Sequence, residues 1–172
     1  MIATIHRYTA HPDPLVAAGN TLAIVVASNQ PTYPLYVWLA AGGGAWQASI
    51  VLLAIPAFVA VPWVARRSPL AARVLLPVAG IANTVAAGHM LGREAGLDLL
   101  LVGCAAIAAG LLRAGERWIM LAIIALAIAG WLAIEAHAAG LFDAAGYASL
   151  RKLNAVSAIA LCGLFGWLSP RR

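Results

Sequence analysis

The sequence predicts an all-α integral membrane protein whose single domain is a six-transmembrane-helix bundle. Hydrophobic residues make up 63% of its 172 residues and charged residues only 10%, whereas a soluble domain has about a quarter charged residues. The mean hydropathy is +0.91. Apolar runs recur between short polar connections, and the length accommodates about six helices of about 20 residues but no soluble domain of ordinary size. The predicted domain covers residues 15–168, between a cytosolic lead-in at 1–14 and a short basic cytosolic tail at 169–172.

The first two predicted helices, A and B, contain the most irregular features. Helix A, at 15–28, is short for a membrane span and contains an asparagine and a threonine. We place a turn after it at 29–34, because two prolines lie there. Continuation as far as Val37 with a break at 29–34, or a re-entrant segment, stays open. Helix B is predicted at 46–64, with a kink at Pro56, where one backbone hydrogen bond is lost.

The remaining four predicted helices are longer apolar runs. Charged or glycine-rich stretches separate them, and these stretches mark the ends of each span. The predicted ranges are 70–91 for helix C, 97–112 for D, 118–138 for E and 148–168 for F.

The distribution of basic residues predicts the orientation. If the N-terminus is cytosolic, alternate connections place eight arginines inside and only Arg93, Arg151 and Lys152 outside. Such a bias follows the positive-inside rule. We therefore expect a multi-pass protein of the bacterial inner (cytoplasmic) membrane with both termini in the cytosol. The net charge of +5 is explained by this bias, so no nucleic-acid partner is predicted; the predicted partner is the lipid bilayer.

Most other polar residues fall near the outer face, and they form the candidate site. Its members come from helices C, D, E and F and from the connection between C and D: Asn83, His89, Arg93, Glu94, Asp98, Glu135, His137, Arg151 and Asn154. A carboxylate this close to the bilayer needs a partner. We favour an ion pair that fastens the outer end of helix E through Glu135. The alternative is a pocket for a small polar or quinone-like ligand, lined by Asn83, His89, Glu135 and Asn154.

Three glycines, Gly88, Gly92 and Gly96, recur every four residues at the end of helix C. This spacing is typical of close helix packing in membranes, either within the chain or in a homodimer. Turn geometry is the other interpretation, because glycine also serves where the backbone turns sharply.

The sequence contains no recognisable catalytic or metal-binding constellation, so a non-enzymatic role without a cofactor is predicted. Glu135 and His137 are two residues apart and point to nearly opposite sides of a helix, so one metal centre does not easily take both. A haem or quinone held through His89 and His137 is the alternative. The two cysteines, Cys104 and Cys162, lie inside apolar runs and are expected to be packing residues.

Five segments of the chain share a pattern with a known group of membrane domains. They are NQPTYPLYVWLA at 29–40, PWVARRSPLAARVLLP at 62–77, IANTVAAGHMLGREAGLDLLL at 81–101, LLRAGERW at 111–118 and YASLRKLNAVS at 147–157. Over residues 15–168 this order resembles the six-helix N-terminal membrane domain of bacterial class III adenylate and guanylate cyclases and related sensor proteins. The matching residues are Arg66, Arg67, Asn83, the 91–96 turn, Glu116, Arg117 and Asn154.

The resemblance implies a receptor domain that receives a signal, dimerises and sets the activity of a cytosolic output domain. After Leu168 this sequence continues only with SPRR, so cyclase activity is not implied. We expect a sensory or regulatory module that transmits a signal from the outer face or the bilayer to a separate partner. Two alternatives stay open: a small membrane subunit of an electron-transfer complex, and a structural accessory subunit of a larger membrane complex.

Overall fold

The computed structural model describes residues 2–135 and 140–170, apart from the side chains of Ile2, Ala3 and Glu135. Within these ranges the chain is helical and contains no strand. The α-helices are α1 (Ile2–Thr9), α2 (Pro14–Asn29), α3 (Tyr33–Ala41), α4 (Ala45–Ala48), α5 (Ile55–Ala65), α6 (Pro69–Leu91), α7 (Asp98–Leu111), α8 (Arg117–Glu135) and α9 (Ala144–Leu168). Short 3-10 helices lie at Gln30–Thr32, Ser49–Ala54, Arg93–Ala95 and Ala114–Glu116.

Four helical stretches are long and apolar enough to cross a membrane: Ala45–Ala65, Pro69–Leu91, Ala114–Ile134 and Ala144–Leu168. The prediction of an all-α membrane protein is therefore confirmed, whereas the count of six spans is not. The α7 helix has 14 residues, or about 21 Å at 1.5 Å per residue. That length falls short of the ~30 Å hydrocarbon core of a bilayer.

Local sequence signals set the ends of α6 accurately. At its start the Ser68 side chain accepts a hydrogen bond from the Ala71 backbone N–H at 3.3 Å, and Pro69 occupies the first turn, where its missing N–H costs nothing. At its end Gly92 has φ 88 and ψ 158, a conformation that favours glycine. The predicted helices C and D match α6 and α7 to within one residue at each end.

The N-terminal third differs from the prediction. The predicted turn at 29–34 is wrong: Gln30–Thr32 forms a 3-10 helix and α3 follows directly. The chain therefore continues past Val37, as one alternative expected, but without the break that this alternative placed at 29–34. Pro31 and Pro34 occupy the first turns of these helices, where proline is tolerated. The break falls instead at Gly42 and Gly44, both with φ 73. The expected lead-in also contains a helix, α1.

The second predicted helix is also less regular than expected. A 3-10 helix at Ser49–Ala54 separates α4 from α5, and Pro56 lies in the first turn of α5. The sequence predicts a kink at Pro56, but the helix is instead irregular over the 3-10 segment Ser49–Ala54 just before it. Proline cannot donate a backbone hydrogen bond to the preceding turn, which weakens the α-helix there.

The bundle has two ends that we name by a residue at each. At the Arg73 end, Arg73 of α6 contacts Glu116 before α8, and Arg113 after α7 contacts Asp13 before α2. At the Gly96 end, the 92–97 turn packs on the start of α9: an added Cβ on Gly96 would lie 2.9 Å from the Arg151 Cα. The α2, α6 and α8 helices therefore run from the Arg73 end to the Gly96 end.

Candidate functional site

A cavity of about 550 Å³ lies between α2 and α9, against α6 and α7. Its volume falls within the range of ~300–1,000 Å³ that is typical of small-molecule sites in proteins. Its wall is mostly apolar, and polar side chains reach it from five helical segments. This combination is typical of a ligand site, because apolar walls provide affinity and sparse polar groups fix orientation.

The polar side chains of this cavity lie in the half nearer the Gly96 end. They are Ser28, Asn29, Gln30, Thr32, Tyr33, Tyr36, Asn83, Thr84, Asn154 and Ser157. This half also contains apolar side chains such as Ala87, Leu100 and Leu153. The half nearer the Arg73 end is lined by apolar side chains, among them Leu22, Phe58, Leu76, Ile107, Leu161 and Leu164. We call the first the polar half and the second the apolar half, because the polar side chains are confined to the first.

Asn154 is the central fixed polar group of the polar half. Its side chain is fully buried. Its Nδ2 donates a hydrogen bond to the Ala95 carbonyl oxygen at 2.8 Å, and its Oδ1 accepts one from the Tyr33 hydroxyl at 3.1 Å. This pair joins α3, the 92–97 turn and α9.

The structure brings only part of the predicted cluster to the cavity. Asn83 and Asn154 line it. His89 lies exposed in the last turn of α6, and Arg93 and Glu94 lie exposed in the following 3-10 helix. His89 and Arg93 therefore do not share one helix face, because α6 ends at Gly92 between them.

The other predicted site residues lie around the same end of the bundle. Arg151 is exposed on α9, and Asp98 begins α7. One carboxylate oxygen of Asp98 is buried without a hydrogen-bond partner in the described part of the chain. The side chain of Glu135 and the whole of His137 lie outside the described residues, so their ion pair, pocket and haem assignments stay predictions.

The three predicted glycines do not form one helical face. Gly88 lies within α6 against α8, where an added Cβ would be 2.6 Å from Ile134 Cγ1. Gly92 and Gly96 lie in the turn after α6, with φ 88 and φ 77. All three are buried inside the chain. Gly88 is buried because α6 packs on α8, and Gly96 because the 92–97 turn packs on α9.

A second polar cluster, at the Arg73 end, was not predicted as a site. Arg73 makes a two-pronged contact with Glu116, with NH1 to Oε2 at 2.6 Å and NH2 to Oε1 at 2.7 Å. Arg73 also donates to the Leu111 carbonyl oxygen at 3.0 Å, and Glu116 accepts from the Arg113 backbone N–H at 2.8 Å. These contacts join the start of α6 to the connection between α7 and α8.

This cluster continues to α2 through Arg113. The Arg113 guanidinium contacts Asp13 at 2.7 Å, and Asp13 also caps α2 by accepting from the Leu15 N–H at 3.0 Å. A signal in the sequence was available: Arg73 lies inside an apolar helix, where an arginine requires a partner.

Among the side chains that the structure describes, at 4–134 and 140–170, no group of three or more His, Cys, Asp or Glu is arranged to hold a metal ion. The two cysteines, Cys104 and Cys162, are free and partly buried in this structure, and Cys104 lines the cavity.

Comparisons with known proteins give no family assignment for this chain. No protein-family model, curated protein or solved structure matches it. Its function is therefore inferred below from the cavity, its polar half and the contacts at the two ends of the bundle.

Proposed function

We propose that this protein is a membrane-embedded sensory or regulatory module, without enzymatic activity, that binds a small molecule in its cavity and acts on a separate partner. The cavity carries this proposal, because it is large, mostly apolar and has its polar side chains in one half. Such a site suits a molecule that is itself part apolar and part polar. The resemblance to cyclase membrane domains points to the same role and stays a prediction.

The position of the cavity suits signal transmission. Its wall is built from helices that meet again at the ends of the bundle, through Tyr33 and Asn154 at one end and Arg73 and Glu116 at the other. A ligand that contacts α2, α6 and α9 together favours the arrangement of helices that fits it best. A partner that distinguishes these arrangements would respond to occupancy.

We further propose six membrane crossings, with α2 and α7 added to the four long apolar stretches. Because α7 is shorter than the ~30 Å hydrocarbon core, it requires a locally thinner bilayer. In this arrangement successive spans alternate in direction, and the contacts Arg113–Asp13 and Arg73–Glu116 join ends that would lie on one side. Exposed tryptophans support the two boundaries, since such rings prefer the headgroup region. Near the Arg73 end these are Trp63, Trp118 and Trp167, and near the Gly96 end they are Trp38 and Trp46.

Cysteine labelling tests the orientation, which we propose to have the Gly96 end outside and the Arg73 end in the cytosol of a bacterial cell. In a background without Cys104 and Cys162, Glu94→Cys introduces an exposed thiol at the Gly96 end. Gly115→Cys does so at the Arg73 end, where an added Cβ meets open space. A membrane-impermeant maleimide added to intact cells should label Glu94→Cys but label Gly115→Cys only after permeabilisation. The opposite pattern would overturn the orientation.

Two serine variants of α9 test whether the cavity binds a small molecule. Both serine hydroxyls donate to the carbonyl oxygen four residues earlier, Ser157 at 2.9 Å and Ser149 at 3.0 Å, but only Ser157 lines the cavity. We expect Ser157→Phe to fill the cavity and Ser149→Phe to leave it open. Mass spectrometry of solvent extracts from protein purified in mild detergent should find the co-purifying molecule at least about tenfold depleted in Ser157→Phe only.

Two outcomes of this experiment contradict the proposed function. One is equal amounts of the bound molecule in wild type and Ser157→Phe, which would place binding elsewhere. The other is equal depletion in Ser157→Phe and Ser149→Phe, which would show that any bulky residue on α9 disturbs binding.

A further inference from the structure

The cavity lacks formal charge in the part of the chain that the structure describes. Its polar lining consists of hydroxyl and carboxamide groups, and no Asp, Glu, Lys, Arg or His side chain of residues 4–134 or 140–170 lines it. Some of these groups, such as the side chains of Asn154 and Ser157, already donate hydrogen bonds to backbone carbonyl oxygens within the chain. A carboxylate, phosphate or ammonium group in the cavity would lose water without gaining a counter-charge, which is strongly unfavourable.

The cavity reaches the side of the bundle between α2 and α9. Val25 of α2 is 38% exposed and Val156 of α9 is 65% exposed, and both line the cavity. Ala160, one turn beyond Val156, is exposed and lines the cavity as well. Because the exposed side of an apolar membrane helix faces lipid, this opening leads to the bilayer.

We infer that the ligand is an uncharged amphiphile that enters from the bilayer between α2 and α9. This inference rests on the proposed function. The polar head lies in the half near Asn83 and Asn154, and the apolar tail extends towards Leu76 and Leu164, so the ligand follows the polarity of the cavity wall. Alcohols, quinones and other neutral lipids with a hydrogen-bonding head belong to this class, whereas fatty-acid anions and cationic amphiphiles do not.

Asn83 is the residue that we assign to recognition of the head. It lines the polar half and is partly exposed. A carboxamide offers two N–H donors and one carbonyl acceptor, so it can bind a hydroxyl or carbonyl group without charge. Asn154 is less available, because one of its donors and its oxygen are occupied by Ala95 and Tyr33.

Competition among amphiphiles with the same tail tests the inference. The protein is placed in lipid nanodiscs and photolabelled with 1-dodecanol that carries a diazirine in its chain, and labelled peptides are identified by mass spectrometry. The competitors are 1-dodecanol, dodecyltrimethylammonium and, at pH 9, dodecanoate. We expect labelling of α2, α6 and α9 peptides at the cavity, and 1-dodecanol should compete at least about ten times more effectively than either ion.

Variants separate the possible results. Ser157→Phe should abolish cavity labelling and Ser149→Phe should retain it. Asn83→Leu should weaken competition by 1-dodecanol several-fold, and Thr84→Val provides a second change at the head if Asn83→Leu does not fold. If the ions compete as well as 1-dodecanol while Ser157→Phe still abolishes labelling, the uncharged-ligand inference is wrong and the proposed function stands. If labelling misses the cavity or persists in Ser157→Phe, both are wrong.

Discussion

Replacing Arg73 with alanine should lower the free energy of unfolding by about 3 kcal/mol, because it leaves a partly buried carboxylate without its main partner. Arg73 is only 5% exposed and Glu116 is 19% exposed. The Leu111 carbonyl oxygen also loses the hydrogen bond it accepts from Arg73. Glu116 still accepts the hydrogen bond from the Arg113 backbone N–H. The expected loss of unfolding free energy is therefore at the lower end of the range for broken buried ion pairs. Unfolding of the wild type and the variant in mixed micelles at increasing SDS fraction measures this change in unfolding free energy.

Two further variants separate this contact from a general effect of removing an arginine. Arg117→Ala removes an exposed guanidinium 5.6 Å from the Trp118 ring, and it should cost at most about 1 kcal/mol. The double variant Arg73→Ala, Glu116→Ala should lose clearly less than the sum of its two single variants, because the second change removes the stranded carboxylate. Simple additivity would show that the two side chains do not stabilise the fold as a pair.

Replacing Asn154 with leucine should cost about 2 kcal/mol of unfolding free energy, because it leaves two buried polar groups without partners. The Ala95 carbonyl oxygen loses its donor and the Tyr33 hydroxyl loses its acceptor. Tyr33→Phe removes only the second contact and should cost about 1 kcal/mol. The same micelle titration gives both values.

Tyr36→Phe is the matched control for this pair. Tyr36 lines the same cavity one turn later but is 40% exposed, so loss of its hydroxyl should change stability by less than about 0.5 kcal/mol. An Asn154→Leu effect no larger than that of Tyr36→Phe would mean that Asn154 does not join the helices energetically.

Local signals predicted much of the helix layout. The boundaries of α6 and α7 follow from Ser68, Pro69 and the glycines of the 92–97 turn, because caps and turns act over a few residues. The predicted turn at 29–34 is wrong, because proline breaks a helix only beyond its first turn. Pro31 and Pro34 in fact lie in first turns, and the glycines at Gly42 and Gly44 end the helix.

The site was less predictable, because its contacts join distant parts of the chain. Asn83 and Asn154 could be singled out as polar residues in apolar helices. Nothing local pairs Tyr33 with Asn154, which are 121 residues apart, or Arg73 with Glu116, which are 43 apart. Helix packing decides these pairs, and a single sequence does not specify packing.

The distance of 121 residues between Tyr33 and Asn154 also bears on how the protein is made. Translation proceeds from the N-terminus, so α2, α6 and α7 leave the ribosome while α9 is still unmade. During that interval Tyr33, Asn83 and the Ala95 carbonyl lack the helix that completes the cavity. The cavity therefore forms only once α9 has been made, and a nascent chain arrested before Asn154 should be unable to bind the proposed ligand.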